Sequence, residues 1–166
     1  AGNSAVGYYS AAEKLYIATQ SLYSPLVQVT YPYMAKTKNK KFHIKILKYT
    51  LILNTLLCIM IIILAPVIVK IIFGTAYMPS VWVLRFLAIA LIIVIPSILL
   101  GYPYLAVLGQ QKYANSSVIL GSLAHLGMLL AVSPFINIYI VAVLVIITES
   151  IVLALRIYGI NKHDLW

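Results

Sequence analysis

Acidic residues are almost missing from this sequence: three Asp and Glu stand against twelve Lys and Arg in 166 residues, a formal net charge of +9. So few carboxylates leave little with which to build a catalytic metal centre or an acid–base pair. Cysteine is scarcer still. Cys58 lies inside an apolar run with no second cysteine to pair with, which excludes an intrachain disulfide framework and a cysteine-based metal site and leaves it a packing residue. A Walker-type phosphate loop, HExxH, CxxC and G-x-S-x-G are all absent, so the chain carries no ATP-hydrolysing module of its own and no cofactor or metal is expected. Repeats, low-complexity tracts and a second domain are missing too. The opening AGNSAVGYYS has neither an initiator Met nor the pattern of a signal peptide and reads as the interior of a longer chain.

What the sequence has instead is apolar length. It is 63% hydrophobic and 9% charged, with mean hydropathy +1.03, values that belong to polytopic membrane proteins rather than soluble domains. At about 20 residues per crossing, the pattern predicts an all-α transmembrane helix bundle of about five spans, over residues 11–34, 46–69, 81–108, 113–132 and 138–158. The high net charge does not point to nucleic acid, because the basic residues sit between apolar runs, where they orient helices and meet anionic headgroups.

Lys36, Lys38, Lys40, Lys41, Lys45 and Lys48 form the densest positive cluster. By the positive-inside tendency this loop is cytoplasmic. Lys112 and the tail with Arg156 and Lys162 then fall on the same side, leaving Lys14, Lys70 and Arg85 toward the outside. The expected topology has its first residues outside and its last inside. Tyrosines near the span ends, such as Tyr31, Tyr33, Tyr77, Tyr102 and Tyr113, read as interfacial anchors.

Several polar residues fall within the spans. Glu13, Gln20, Ser24 and Gln28 are spaced by seven, four and four, which stacks them on one helical face. That face either lines water or a polar substrate, or packs on other helices through side-chain hydrogen bonds. Pro25 and Pro32 can bend the same helix. Arg85 either snorkels to the headgroups or holds an anion. Glu149 lies deep in the last span, where a charge is costly and usually faces a bundle interior or a cavity. His125 falls at similar depth one helix earlier, so a His–Glu contact is geometrically open.

Two segments resemble the bacterial polysaccharide flippases, the O-antigen and capsule repeat-unit exporters of the multidrug/oligosaccharidyl-lipid/polysaccharide exporter superfamily. The first is the opening, carried by Val6, Gly7, Tyr8, Tyr9, Ser10, Ala12, Lys14, Pro25 and the YPYMAK end at residues 31–36; it is similar to the family's eighth-helix region. The second is IIFGTAYMPSVWVLRFLA, with Phe73, Gly74, Tyr77, Ser80, Leu84 and Arg85. The resemblance implies most of the second lobe of a two-lobe exporter of twelve to fourteen helices in the bacterial inner membrane. It implies translocation of an undecaprenyl-diphosphate-linked oligosaccharide, with polysaccharide polymerase and chain-length machinery as further partners. On that reading Lys14 and Arg85 face the diphosphate, Glu13, Gln20, Ser24 and Gln28 face the sugars, and Glu149 with His125 couples an ion.

A drug or small-metabolite antiporter of the same superfamily shares the helix pattern but would call for a more apolar pocket. A membrane glycan polymerase or ligase would need an acid, a base or a metal on an aqueous loop, and the connections here are too short to carry one. The chain is therefore expected not to be an enzyme.

Overall fold

A computed structural model describes residues 3–166, and among these the chain is an all-α bundle without strands. Six helices follow one another: α1 (Asn3–Ser21), α2 (Ser24–Thr37), α3 (Lys40–Phe73), α4 (Ser80–Leu100), α5 (Gln111–Val132) and α6 (Ile138–Lys162). Four segments, Lys40–Phe73, Ser80–Ala106, Gln111–Phe135 and Ile138–Lys162, are long and apolar enough to cross a membrane. The chain is a membrane protein by that measure.

The stretch expected as the first span, residues 11–34, is two helices rather than one. Pro25 stands at the start of α2 and has no N–H to offer to the preceding turn. The chain accordingly tightens at residues 22–23, where the Leu22 and Tyr23 amides bond back three residues to Thr19 and Gln20. Pro32 sits inside α2 without ending it.

α2 stops at Lys38, which takes a left-handed conformation, and Asn39 caps α3 by accepting the Phe42 amide at 3.0 Å. α3 then runs on for 34 residues, well beyond the expected 46–69. Its Pro66 leaves the Ile62 carbonyl without a helical donor. The side chain of Arg85 supplies one, Nε donating to that oxygen at 3.2 Å.

α4 is the central helix. It packs against α1, α3 and α6, and 67% of its apolar window is buried, against 6% for α5. Val83, Leu84 and Leu87 meet Ala12 of α1, Ala65 and Val69 of α3 and Ala142 of α6 in one core cluster, so small residues on the outer helices let them approach the central one. The expected span 81–108 is α-helical only to Leu100. Gly101–Ala106 forms a wider π-helical turn, the local result of a Pro at 103 that cannot donate to the ladder. Tyr104 in this turn is buried, stacks on His43 of α3 with ring centroids 4.6 Å apart, and donates its hydroxyl to the Leu165 carbonyl.

α5 and α6 are joined by the short turn Ser133–Phe135, and Asn137 caps α6 by accepting from the Tyr139 and Ile140 amides. The two helices are in close contact. A Cβ at Gly121 would collide with Val152 Cγ2, and one at Gly159 would lie 2.7 Å from the Tyr113 ring.

Candidate functional site

The break between α1 and α2 opens a pocket of 420 Å³ against α4. Gln20, Ser24 and Gln28 all line it, together with Ser21 at the turn; Ile95, Ile98 and Leu99 form the α4 wall. The chain produces this arrangement for a simple reason. Spacing of four and four puts the three polar residues on one side, and the proline break lets that side continue across two helix segments. No charged residue is part of the lining. Amides and hydroxyls there can donate and accept hydrogen bonds with neutral groups, while the α4 side offers apolar contact.

The other members of the expected set lie elsewhere. Glu13 is half-buried on α1, in electrostatic reach of Tyr9 and Tyr16 rather than in the pocket. Lys14 is exposed. Arg85 is half-buried, committed through Nε to the Ile62 carbonyl, and its guanidinium carbon lies 4.7 Å from the Trp82 ring centroid. The stripe and the two cations therefore do not converge on one cavity.

A second cleft, of 310 Å³, lies between α5 and α6 and is lined by Ser122, His125, Thr148 and Glu149 with Leu126, Leu129 and Val145. The two coupling candidates share it. His125 is bonded not to Glu149 but to Thr148, Nδ1 to Oγ1 at 2.7 Å. Thr148 spends its single hydroxyl proton on the Leu144 carbonyl at 2.8 Å, so toward His125 it is an acceptor. Nδ1 therefore carries a proton, which in the neutral tautomer leaves Nε2 as an acceptor. A carboxyl and an imidazole acceptor in one cleft are groups that can take up and release a proton.

Arg156 is the residue that sequence reasoning placed wrongly. It reads there as one more cation of the tail, yet it is only 6% exposed, and its guanidinium joins three elements. Nε donates to Ser117 Oγ of α5 at 3.0 Å, and Nη1 donates to both the hydroxyl and the carbonyl of Ser97 in α4. These partners are neutral. The guanidinium lies flat on Gly101, where a Cβ would come within 3.0 Å of its carbon, so the π-helical turn and the glycine together make its berth. Glu149, seven residues earlier on the same helix, is within its electrostatic reach. The available signal was the spacing: Glu149 and Arg156, two turns apart on α6, share a face.

Among the described residues no group of three or more His, Cys, Asp or Glu could hold a metal ion. Neither a protein-family model, nor a curated protein, nor a solved structure matches the chain.

Proposed function

We propose that this chain is the second-lobe part of a two-lobe exporter that moves an undecaprenyl-diphosphate-linked oligosaccharide across the bacterial inner membrane for O-antigen or capsule assembly. The observation that carries the reading is the pocket at the α1–α2 break, where Gln20, Ser24 and Gln28 converge in an uncharged lining. Sugars present hydroxyls that both donate and accept, and a site made of amides and hydroxyls answers both. The segments that resemble the flippases, including the helix that bears this stripe, support the same assignment. In this reading the lysine-rich connection between α2 and α3 is cytoplasmic, Lys14 and Arg85 contact the diphosphate at a stage when the lobes enclose it, and the Glu149–His125 cleft couples an ion to the cycle. Alternating access moves two lobes around a shared site, so the activity belongs to the whole exporter.

The test is complementation. The gene is deleted in its native strain and restored as full-length wild type or with Gln20, Ser24 and Gln28 replaced by Leu. Surface polysaccharide and lipid-linked repeat units facing the cytoplasm are then measured. Wild type should restore the glycan and clear the accumulated repeat units, and the triple variant should do neither while reaching the membrane in equal amount. Unchanged glycan on deletion overturns the reading.

The runner-up is a drug or small-metabolite antiporter of the same superfamily. One observation favours it: Ile17, Leu26 and Val27 join Ile95, Ile98 and Leu99 in making most of the pocket wall apolar. Resistance to a lipophilic cation that is lost on deletion, with surface glycan intact, would select it.

A further inference from the structure

α3 is longer than a membrane requires. Its 34 residues extend about 51 Å at 1.5 Å per residue, whereas the hydrocarbon core takes about 30 Å. The uncharged run begins only at Tyr49, so the preceding turns of α3 stand at headgroup level. Lys41, Lys45 and Lys48 on those turns are spaced by four and three and share one face.

These three lysines, with Ile44, Tyr49 and Ile52, line a groove of 410 Å³. Its two ends differ. The ammonium groups occupy the end toward water, while Tyr49 and Ile52, each 58% exposed, continue the groove down the face that meets lipid. The three carboxylates of the chain, Glu13, Glu149 and Asp164, lie on other elements. Lys40, the residue before Lys41, is engaged differently, its ammonium donating to the Asp164 main-chain oxygen at 3.4 Å.

We propose that this groove binds an anionic phospholipid, with the phosphate held among Lys41, Lys45 and Lys48 and the start of an acyl chain laid along Ile44, Tyr49 and Ile52. Charge complementarity selects the headgroup: three cations in a lining that contains no acid favour a phosphate diester of net negative charge over a zwitterion. The apolar half of the lining selects a lipid over a free anion, because inorganic phosphate would cover the lysines and leave Tyr49 and Ile52 unmatched. The site is local rather than a property of the whole basic loop. Lys36 and Lys38 belong to α2 and its cap, so the loop can lose as much charge as the groove without altering it.

The test is a titration of the purified full-length protein in neutral detergent, followed by native mass spectrometry, with dioleoylphosphatidylglycerol, dioleoylphosphatidylcholine and inorganic phosphate as separate probes. Lys41→Gln/Lys45→Gln/Lys48→Gln is compared with Lys36→Gln/Lys38→Gln/Lys112→Gln, a control of equal charge, and both are checked by thermal melting for an unchanged fold. Phosphatidylglycerol should bind saturably, and the groove variant should lose about a hundredfold in affinity, whereas the control should change less than threefold. Equal losses in the two variants would mean diffuse surface charge and overturn the site. Displacement of the lipid by millimolar phosphate would make it a free-anion site, and equal binding of phosphatidylcholine would make it an apolar groove alone; either result overturns the proposal.

Discussion

Arg85 donates through Nε to the Ile62 carbonyl at 3.2 Å, and that oxygen is the one Pro66, four residues later, leaves without a helical partner. A helix interruption in α3 is thus closed by a side chain from α4. This single bond relates a proline that looks like a defect to a cation that looks like a ligand.

The relation predicts a rescue. Arg85→Ala should lower stability by about 1.5 kcal/mol, the lower end of the range for a hydrogen bond to a charged group because Arg85 is only half-buried, read as a fall in melting temperature in detergent. Pro66→Ala returns the amide to the ladder, so Pro66→Ala/Arg85→Ala should melt near wild type. If the double variant melts no higher than Arg85→Ala alone, the Ile62 bond is not what Arg85 contributes. Transport by the same double variant separates the two roles: restored stability with export still lost is the outcome expected for a diphosphate-facing cation.

Arg156 should tolerate no replacement. Lys carries the charge but lacks the planar fork that reaches Ser117 and Ser97 at once. Both Arg156→Lys and Arg156→Ala should cost about 1–3 kcal/mol through buried hydroxyls and a carbonyl left without donors. Melting curves check this, and a stability equal to wild type in Arg156→Lys would show that charge alone suffices.

The α5–α6 contact predicts a steric effect. Gly121→Ala drives a methyl group into Val152 Cγ2, and Gly159→Ala places one 2.7 Å from the Tyr113 ring. Either should cost about 1–3 kcal/mol by overpacking. Gly127→Ala, inside α5 where a Cβ meets nothing within 4 Å, is the control and should be neutral or stabilising by up to about 1 kcal/mol, since Ala is the better helix former.

For His125 the prediction is a tautomer. Nitrogen-15 NMR of histidine-labelled protein should show the proton on Nδ1, and Thr148→Val should release that preference because the acceptor is gone. A wild-type ring protonated on Nε2 alone would remove the assigned hydrogen-bond direction. Glu149→Gln, in the same cleft, should reduce export more than membrane abundance; equal reductions would make Glu149 structural.

The helical class was legible because apolar length and charge placement are properties of the chain itself. The turn around residues 133–137 and the polar side formed by Gln20, Ser24 and Gln28 were legible for the same reason, since spacing of three and four is geometry that any helix obeys. The split of residues 11–34 was harder to read. Pro25 and Pro32 occur in one stretch, and the letters alone do not say which one a helix will absorb: the chain breaks before the first, which starts α2, whereas the second lies inside α2. Arg156 was illegible as an isolated letter. Its burial depends on Ser97, Gly101 and Ser117, 59 to 39 residues away in sequence, and on a π-helical turn that no periodicity announces. His125 likewise found Thr148 rather than its neighbour Glu149, a choice set by the rotation of α6 about its axis.

The nick between α1 and α2 bears on how the protein is made. α1 and α2 are 19 and 14 residues long, and neither is among the segments apolar enough to cross a bilayer. They are synthesised before α3, which among the described residues is the earliest helix long and apolar enough to cross a membrane. The α1–α2 pair therefore reaches its final packing only once α4 has been made, because the surface that α1 covers, Val83, Leu84 and Leu87, belongs to that later helix.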